Sequence, residues 1–456
     1  MYFDTHAHLD LEPLCDAEAE VVRRAREAGV SRIVTIGIGP DSSERAIAIA
    51  HRHAGVYAAV GLHPHDASSR SEDLLARLEE LSRCDKVVGI GETGLDFYRD
   101  RSPRDAQRAA FREQIRLARR RSLPVVVHDR EAHGEILSIL AQENAAEVGG
   151  IIHCFSGDYE MARRAIGMNF LVSIPGAITY KGSQTQAEAV GKIPLEKLLI
   201  ETDCPFLAPL PYRGKPKEPS YVPLVARKIA EIKGVSAEDV GRVTALNALR
   251  IFRIPSEEEV RVSYKIRNSL YLNITNRCTN ACTFCAKRDD FHVKGHYLKL
   301  PGEPSVGDVL AEVGDPARYD EIVFCGFGEP FLRLSDVKEI AKALKSRGAR
   351  IRVNTDGLAN LVHGRNILPE LAGLIDALSV SLNAQDAETY ARICPNRYGP
   401  ASFAALVDFL REAPRHVPSV VATAVALPDL DHEAVRRLAE SIEGVTFRLR
   451  PFAEVG

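Results

Sequence analysis

Short, nearly continuous apolar runs recur through the first half of the chain, at 1–4, 32–36, 56–60, 87–90, 124–127, 150–152, 170–174 and 197–200. Runs this short and this apolar read as strands buried on both faces, the pattern of a parallel sheet. Stretches of helical periodicity, such as 17–28 and 103–121, separate them. Eight strand–helix alternations over about 250 residues predict a closed (β/α)8 barrel of the TIM type. A short polar bridge opening at Pro255 interrupts the pattern. It sets expected boundaries of 1–254 for the barrel, 255–262 for a linker and 263–456 for a second domain. Six more strand-like runs lie in that second part, at 269–275, 320–324, 350–353, 377–380, 420–423 and 445–449. Helical segments such as 336–347 and 403–413 lie between them. Six β/α units predict an α/β sheet that curves into a partial, open (β/α)6 barrel.

Composition narrows the picture. Formal net charge is −3, so no overall basic field argues for nucleic acid, and phosphate contacts must come from local patches such as 116–121 or from metal ions. Aromatic content is 6% with no Trp, which leaves few stacking platforms. No apolar run is long enough to span a bilayer, and the start Met1-Tyr-Phe-Asp-Thr-His6 does not read as a secretory leader. Nine irregularly spaced cysteines do not form a disulfide framework. The expectation is a cytoplasmic enzyme without membrane association.

The chemistry gathers where the barrel strands end. Strand one ends Asp4-Thr-His6-Ala-His8, and strand three Gly61-Leu-His63-Pro-His65-Asp66. Strand four ends Gly91-Glu92-Thr-Gly94-Leu-Asp96, strand five His128-Asp129, strand six His153-Cys-Phe-Ser-Gly157 and strand eight Glu201-Thr202-Asp203. Barrel active sites are built on that C-terminal rim. Residues two apart share a strand face, so His6 and His8 can point at one metal. Satisfied core histidines and solvated acids would instead scatter over both barrel ends. Imidazoles mixed with carboxylates suit zinc, manganese or magnesium.

These motifs, together with Arg213-Gly-Lys215-Pro-Lys-Glu-Pro-Ser-Tyr-Val-Pro223, resemble the TatD family of metal-dependent hydrolases over residues 1–252. The resemblance implies one divalent ion on His6, His8, Glu92 and Asp203. It implies a second on Glu92, His128 and His153, with Glu92 bridging. It also implies a phosphodiesterase, a 3′-to-5′ nuclease or deoxyribonuclease acting on nucleic-acid ends or nucleotides. Two ions about 3.5–4 Å apart clamp both oxygens of an in-line displacement, and Asp203 could double as general base. Glu92 and Asp203 are thus the catalytic candidates. His63 and the basic loop residues Arg213 and Lys215 are candidate substrate contacts. Cys204 stands where the family often has a smaller residue.

The second domain opens with Cys278, Cys282 and Cys285, spaced C-x3-C-x2-C directly after its first strand. Three thiolates leave one iron of a four-iron cluster open, since full protein ligation takes four. The rival reading is a Cys3His zinc site with His292 or His296. One strand later stands Cys325-Gly326-Phe-Gly328-Glu329-Pro330, where glycines allow close backbone approach and a carboxylate can accept from an ammonium group. The two motifs together resemble the radical S-adenosylmethionine (radical SAM) family. That implies a [4Fe–4S] cluster on the three cysteines, whose open iron binds the amino acid end of S-adenosylmethionine and whose reduction splits it to a 5′-deoxyadenosyl radical. Gly326, Gly328 and Glu329 are then cofactor contacts, joined by Asn354, Ser381 and Asn383 at later strand ends. Cys325 and Cys394, apart in sequence, do not make a second cluster.

As a whole the chain resembles the TatD-linked radical SAM proteins, which implies a bifunctional enzyme fed electrons by an external flavodoxin or ferredoxin. A nucleic acid or nucleotide substrate for both halves is one expectation. The alternative is an amide or ester hydrolase of a small molecule, with the iron–sulfur half as redox sensor or partner-binding module.

Overall fold

Alternation along the strands explains why the first-half runs are apolar throughout. The computed structural model describes residues 1–215, 217–255, 259–288 and 290–452. Eight parallel strands follow in order around one sheet. They are β1 (Tyr2–Ala7), β2 (Val30–Ile36), β3 (Val56–Val60), β4 (Val87–Asp96), β5 (Val125–Arg130), β6 (Gly150–Ile152), β7 (Phe170–Ile174) and β8 (Leu198–Ile200). Phe3, Val34, Ala59, Val88, Val126 and Leu199 fill the barrel interior. Their sequence neighbours Ile33, Val60, Val87, Val125 and Leu198 pack outward under the helices. The helix Ala237–Ile251 plugs the lower end: Leu249 and Phe252 join the interior, with the Phe252 ring 6.2 Å from that of Phe3. The seam closes just past β8, where Asp203 N–H donates to His6 O and His8 N–H to Cys204 O, both at 2.8 Å.

Strand β4 runs six residues beyond the expected end at residue 90. Gly91 and Gly94 lie in the segment that follows the apolar run, and glycine ordinarily weakens strands. In the structure they permit pairing. A Cβ on Gly94 would lie 2.0 Å from His128 O, and its φ is +147°. A register shift between Ile90 and Thr93 accompanies this close approach to β5. Glu92 and Asp96 therefore sit within a strand, not on a loop.

The chain divides into two units, Met1–Glu257 and Glu258–Gly456. Residues 256–258 of the expected linker lie outside the described residues. The second unit carries β9 (Ser263–Ile266), β10 (Ser269–Leu272), the hairpin β11 (His292–Val293) and β12 (His296–Tyr297), then β13 (Glu321–Phe324), β14 (Ile351–Thr355), β15 (Ala377–Ser381), β16 (Ser419–Val425) and β17 (Val445–Arg450). Its main sheet runs β17-β16-β15-β14-β13-β10-β9. The six parallel strands are the six expected runs. The seventh, β9, pairs antiparallel with β10 and was not foreseen. Four residues with one fully apolar position carry too little pattern to announce it.

One face of this sheet is apolar and covered by helices, with Leu272, Phe324, Val353, Val380 and Ala422 in its core. The alternate positions, among them Tyr271, Cys325, Arg352, Asn354 and Ser381, make a polar inner face. Among the described residues no helix is long and apolar enough to cross a membrane.

Candidate functional site

The strand-end donors of the barrel converge. His6 Nε2 lies 3.3 Å from His8 Nε2, 3.5 Å from Glu92 Oε2 and 3.8 Å from Asp203 Oδ1. His8 Nε2 is 3.5 Å from Asp203 Oδ1, while its Nδ1 meets Ile36 O at 3.1 Å. That backbone contact places the proton on Nδ1 and leaves the Nε2 lone pair facing the cluster. A register shift in β1 between Asp4 and Ala7 changes the face presented, so Phe3 fills the barrel below while His6 and His8 share the site. Glu92 Oε1 is 2.6 Å from His128 Nδ1 and 3.6 Å from His153 Nε2. The rings of His6 and His153 stack 3.5 Å apart.

His63 also stands by Glu92, its Nε2 3.4 Å from Oε1. Its Nδ1 accepts from the backbone N–H of His65 at 3.1 Å. A neutral imidazole has one donor and one acceptor nitrogen, so the proton sits on Nε2. In this tautomer His63 is a donor, although it also stands in a group with Glu92 and His128 that could hold a metal ion. Burial lowers its pKa and keeps it neutral.

Several neighbours hold this constellation in place. His128 Nε2 and His65 Nε2 both reach Asp96 Oδ2, at 3.3 and 2.7 Å. Glu201 Oε1 stands 3.0 Å from His153 Nδ1 and accepts from Cys154 N–H at 2.7 Å. Asp4 accepts from Thr202 N–H at 2.9 Å and from its hydroxyl at 2.6 Å, tying β1 to the Glu201–Asp203 segment. Burial outweighs those bonds and pushes the Asp4 carboxyl up to about 8.

The electrostatics suit cations. Burial lowers His6. Burial also opposes charge on His153 and His128, but Glu201 and Glu92 outweigh it at His153, and Asp96 and Glu92 at His128. The two are held at about 10 and about 9. Burial raises Glu92 and Asp203, yet the surrounding imidazoles win and keep both below the carboxylate range. Ionised carboxylates among buried imidazoles fit divalent ions: the ligand atoms of His6, His8 and Asp203 lie within 4.8 Å of one another, as do those of His63, Glu92 and His128.

A cavity of ≈ 720 Å³ opens over these residues, lined also by Tyr98, Arg99, Arg101, Arg130, Phe206 and Lys217. The expected contacts Arg213 and Lys215 do not line it. Their charges lie over the rings of Tyr180 and Tyr212, at 4.8 and 5.9 Å. The basic run at 116–121 is equally occupied. Arg116, Arg119 and Arg120 pair with Glu143, Glu147 and Glu79 on the barrel's outer surface.

In the second unit the cysteine loop leaves β10 and is pinned on both sides. Asn276 Oδ1 accepts from Leu300 N–H at 2.6 Å, and Ala281 N–H donates to Pro395 O at 2.8 Å. Cys282 Sγ comes within 3.4 Å of Cys394 Sγ, a neighbour 112 residues away that spacing could not reveal. His292 is engaged by Asp290, and His296 Nε2 meets Lys265 O at 3.1 Å. Among the described residues, neither histidine forms with the cysteines a group whose ligand atoms lie within 4.8 Å of one another, and Cys278, Cys282 and Cys285 form none by themselves.

The glycine-rich loop packs on its own chain. A Cβ on Gly328 would meet Thr275 O at 2.3 Å, and one on Gly326 Asn273 Oδ1 at 2.4 Å. Glu329 accepts from Phe331 N–H, the Thr355 hydroxyl and Asp356 N–H, at 2.9, 3.0 and 2.7 Å. A carboxylate has about four acceptor sites, so one remains. Burial, with Asp356 beside it, pushes Glu329 well up, a cost that an ammonium ligand would relieve. Asn354 is occupied by Arg352 and Cys325, at 2.7 and 3.2 Å. Ser381 ends β15, and Asn383 keeps a buried Oδ1 without a partner.

Residues 3–253 match the family model described as TatD related DNase. The chain belongs to the TatD-related DNase family. Residues 272–442 match the Radical SAM superfamily, so the TatD-type hydrolase is fused to a radical SAM domain, and both families are enzymes. An uncharacterized metal-dependent hydrolase, YabD of Bacillus subtilis (strain 168), is 47% identical over 254 residues, 56% of this chain and 100% of that protein. The 3′-5′ ssDNA/RNA exonuclease TatD of Cronobacter sakazakii is 37% identical over 238 residues, 51% of this chain and 90% of its own. Among solved structures, the TatD homolog YjjV of Escherichia coli K12 superposes with a TM-score of 0.54 at 31% identity, over 56% of this chain and 98% of that one.

Proposed function

We propose that the TatD half is a two-metal phosphodiesterase that trims single-stranded nucleic-acid ends, and that the second half cleaves S-adenosylmethionine reductively. His6, His8, Glu92 and Asp203 would hold one divalent ion (magnesium, manganese or zinc), and Glu92, His128 and His153 the other. Such ions supply Lewis acidity toward a phosphoryl oxygen. The chain supplies the rest. Asp203, ionised at neutral pH, accepts a proton from the attacking water. His63 presents its Nε2–H as a donor beside the reacting phosphate. Arg99, Arg101, Arg130 and Lys217 line the cavity as counter-charges for the strand.

The observation that carries this reading is the pairing of a buried acid–imidazole set with exposed aromatic rings on the same cavity. Tyr98 is 60% and Phe206 50% exposed, and unstacked bases pack on such rings without regard to sequence. The Cronobacter relative, a 3′-5′ ssDNA/RNA exonuclease, supports the same class. The test is a 5′-labelled single-stranded oligonucleotide incubated with metal-loaded protein. Stepwise loss from the 3′ end, abolished by Glu92→Ala, is expected. An intact oligonucleotide together with turnover of a nitrophenyl ester or lactone would overturn the phosphodiesterase reading.

In the second half Cys278, Cys282 and Cys285 would hold a [4Fe–4S] cluster, which supplies one-electron cleavage of bound S-adenosylmethionine. Glu329 keeps one acceptor site for the cofactor's ammonium, and Asn383 an unpaired carbonyl for a hydroxyl or amine. A flavodoxin or ferredoxin would deliver the electron.

A further inference from the structure

The inner face of the open barrel treats two arginines differently. Arg352, on β14, is met at 2.7 and 3.2 Å by the two oxygens of Glu321, and its third nitrogen reaches Asn354 Oδ1 at 2.7 Å. Its charge is balanced within the chain. Arg450, at the end of the edge strand β17, has no such partner. Its register partner is Val425, and Arg448, two residues back on the same face, pairs with Thr423. Phe447 and Leu449 pack against the apolar core, which turns both arginines to the other, polar side. Arg450 Nε is buried with no hydrogen-bond partner.

Among the described residues, the charges that reach Arg450 are those of Cys325, Arg448 and Cys282, and no carboxylate is among them. Burial lowers its pKa, as expected of a cation removed from water without a counter-ion. Arg450 is partly exposed and Arg448 exposed, but the buried Nε is left without an acceptor, a cost that an oxyanion from outside the chain would relieve. A guanidinium offers planar, paired donors suited to carboxylate and phosphate.

We infer that Arg450, assisted by Arg448, is an oxyanion-binding subsite on the inner face of the open barrel, which holds a carboxylate or phosphate group of the radical substrate. The inference rests on reading the second unit as a radical SAM enzyme, and it narrows that enzyme's unknown substrate to an anion. In the sheet, β17 lies four strands from β13, and Arg450 is nevertheless within electrostatic reach of Cys325 and Cys282, so the subsite faces the cofactor side of the inner face.

The test uses the full chain with its cluster reconstituted, and reads hydrogen exchange of the β16 and β17 amides. Inorganic phosphate and acetate are the probes, against chloride at matched ionic strength. In chloride, Arg450→Met is expected to protect these strands at least as well as the parent, since it removes an uncompensated charge. Arg352→Met, which strands Glu321, is expected to weaken them. With phosphate or acetate at ten times its dissociation constant, the parent gains protection about tenfold and Arg450→Met gains none. Which probe acts more strongly tells phosphate from carboxylate. Loss of protection in Arg450→Met in chloride, with no oxyanion effect in the parent, would make Arg450 a structural cation and overturn the inference. A tenfold loss of S-adenosylmethionine affinity in Arg450→Met, with phosphate competing against the cofactor, would assign the arginine to the cofactor's own carboxylate and also overturn it. None of these readouts requires turnover, so failure of the subsite is distinct from failure of the radical chemistry.

Discussion

Glu201 acts through His153. Its carboxylate, anchored by Cys154 N–H, stands at ion-pair distance, 3.0 Å from Nδ1, without hydrogen-bond geometry, and holds the ring by charge while Nε2 faces Glu92 and Asp203. Removing such a partner typically weakens metal binding about 10–100-fold. Glu201→Gln is therefore expected to lose that much divalent-ion affinity by titration calorimetry, with the fold intact by circular dichroism. Unchanged affinity would mean that Glu201 serves only to hold the loop. Substrate contacts make a separate prediction. Tyr98→Ala and Phe206→Ala should each weaken binding of a fluorescent oligonucleotide to metal-free protein by about 1–3 kcal/mol, read by anisotropy. The candidate ligands were legible in the sequence because strand ends are legible: five stand at or just past them, and Glu92 follows an apolar run that the structure extends to Asp96. Tyr98, Arg99, Arg101, Phe206 and Lys217 were not, because they lie on loops whose course only tertiary packing decides. Arg213 and Lys215 show the converse: basic residues near a strand end that fold back onto tyrosines.

At the scale of elements, the helix Arg104–Arg121 carries a stripe of arginines that joins it to the next helix and turn. Arg112 and Arg116 both meet Glu143, each at 2.8 Å. The Arg116 bond holds Glu143 below its ordinary value of 4.5 despite burial. A carboxylate with a depressed folded pKa stabilises above its unfolded value and loses that contribution as pH falls through the folded one. Glu143→Gln is thus expected to lower thermal stability at pH 7, by about 1 kcal/mol at most given its solvent-exposed partners, with the gap closing on acidification below 4.5. A gap that widened in acid would contradict this. Strand β4 makes the complementary point. Its glycines allow a close approach to β5, so Gly94→Ala should cost about 1–3 kcal/mol through the clash with His128 O. A pattern of apolar runs locates strands, but cannot tell a glycine that stops pairing from one that allows it.

At the scale of the whole chain, two α/β sheets carry two different chemistries, and each sheet shows why. The TatD barrel is apolar inside until its C-terminal rim, where acids and imidazoles replace hydrocarbon. The second sheet is apolar on its helix-covered side, and its alternate positions make a polar inner face. Both architectures were readable from hydrophobic periodicity alone. The antiparallel strand β9, the sulfur contact between Cys282 and Cys394 and the unpaired Arg450 were not, since each depends on segments brought together by folding. The most direct measurement is anaerobic: metal-loaded protein with a reconstituted cluster, given dithionite and S-adenosylmethionine, assayed for 5′-deoxyadenosine beside Cys285→Ala. The account predicts 5′-deoxyadenosine from the parent and none from Cys285→Ala, while both shorten a single-stranded oligonucleotide alike. A parent that holds its cluster by spectroscopy yet releases no 5′-deoxyadenosine would contradict it.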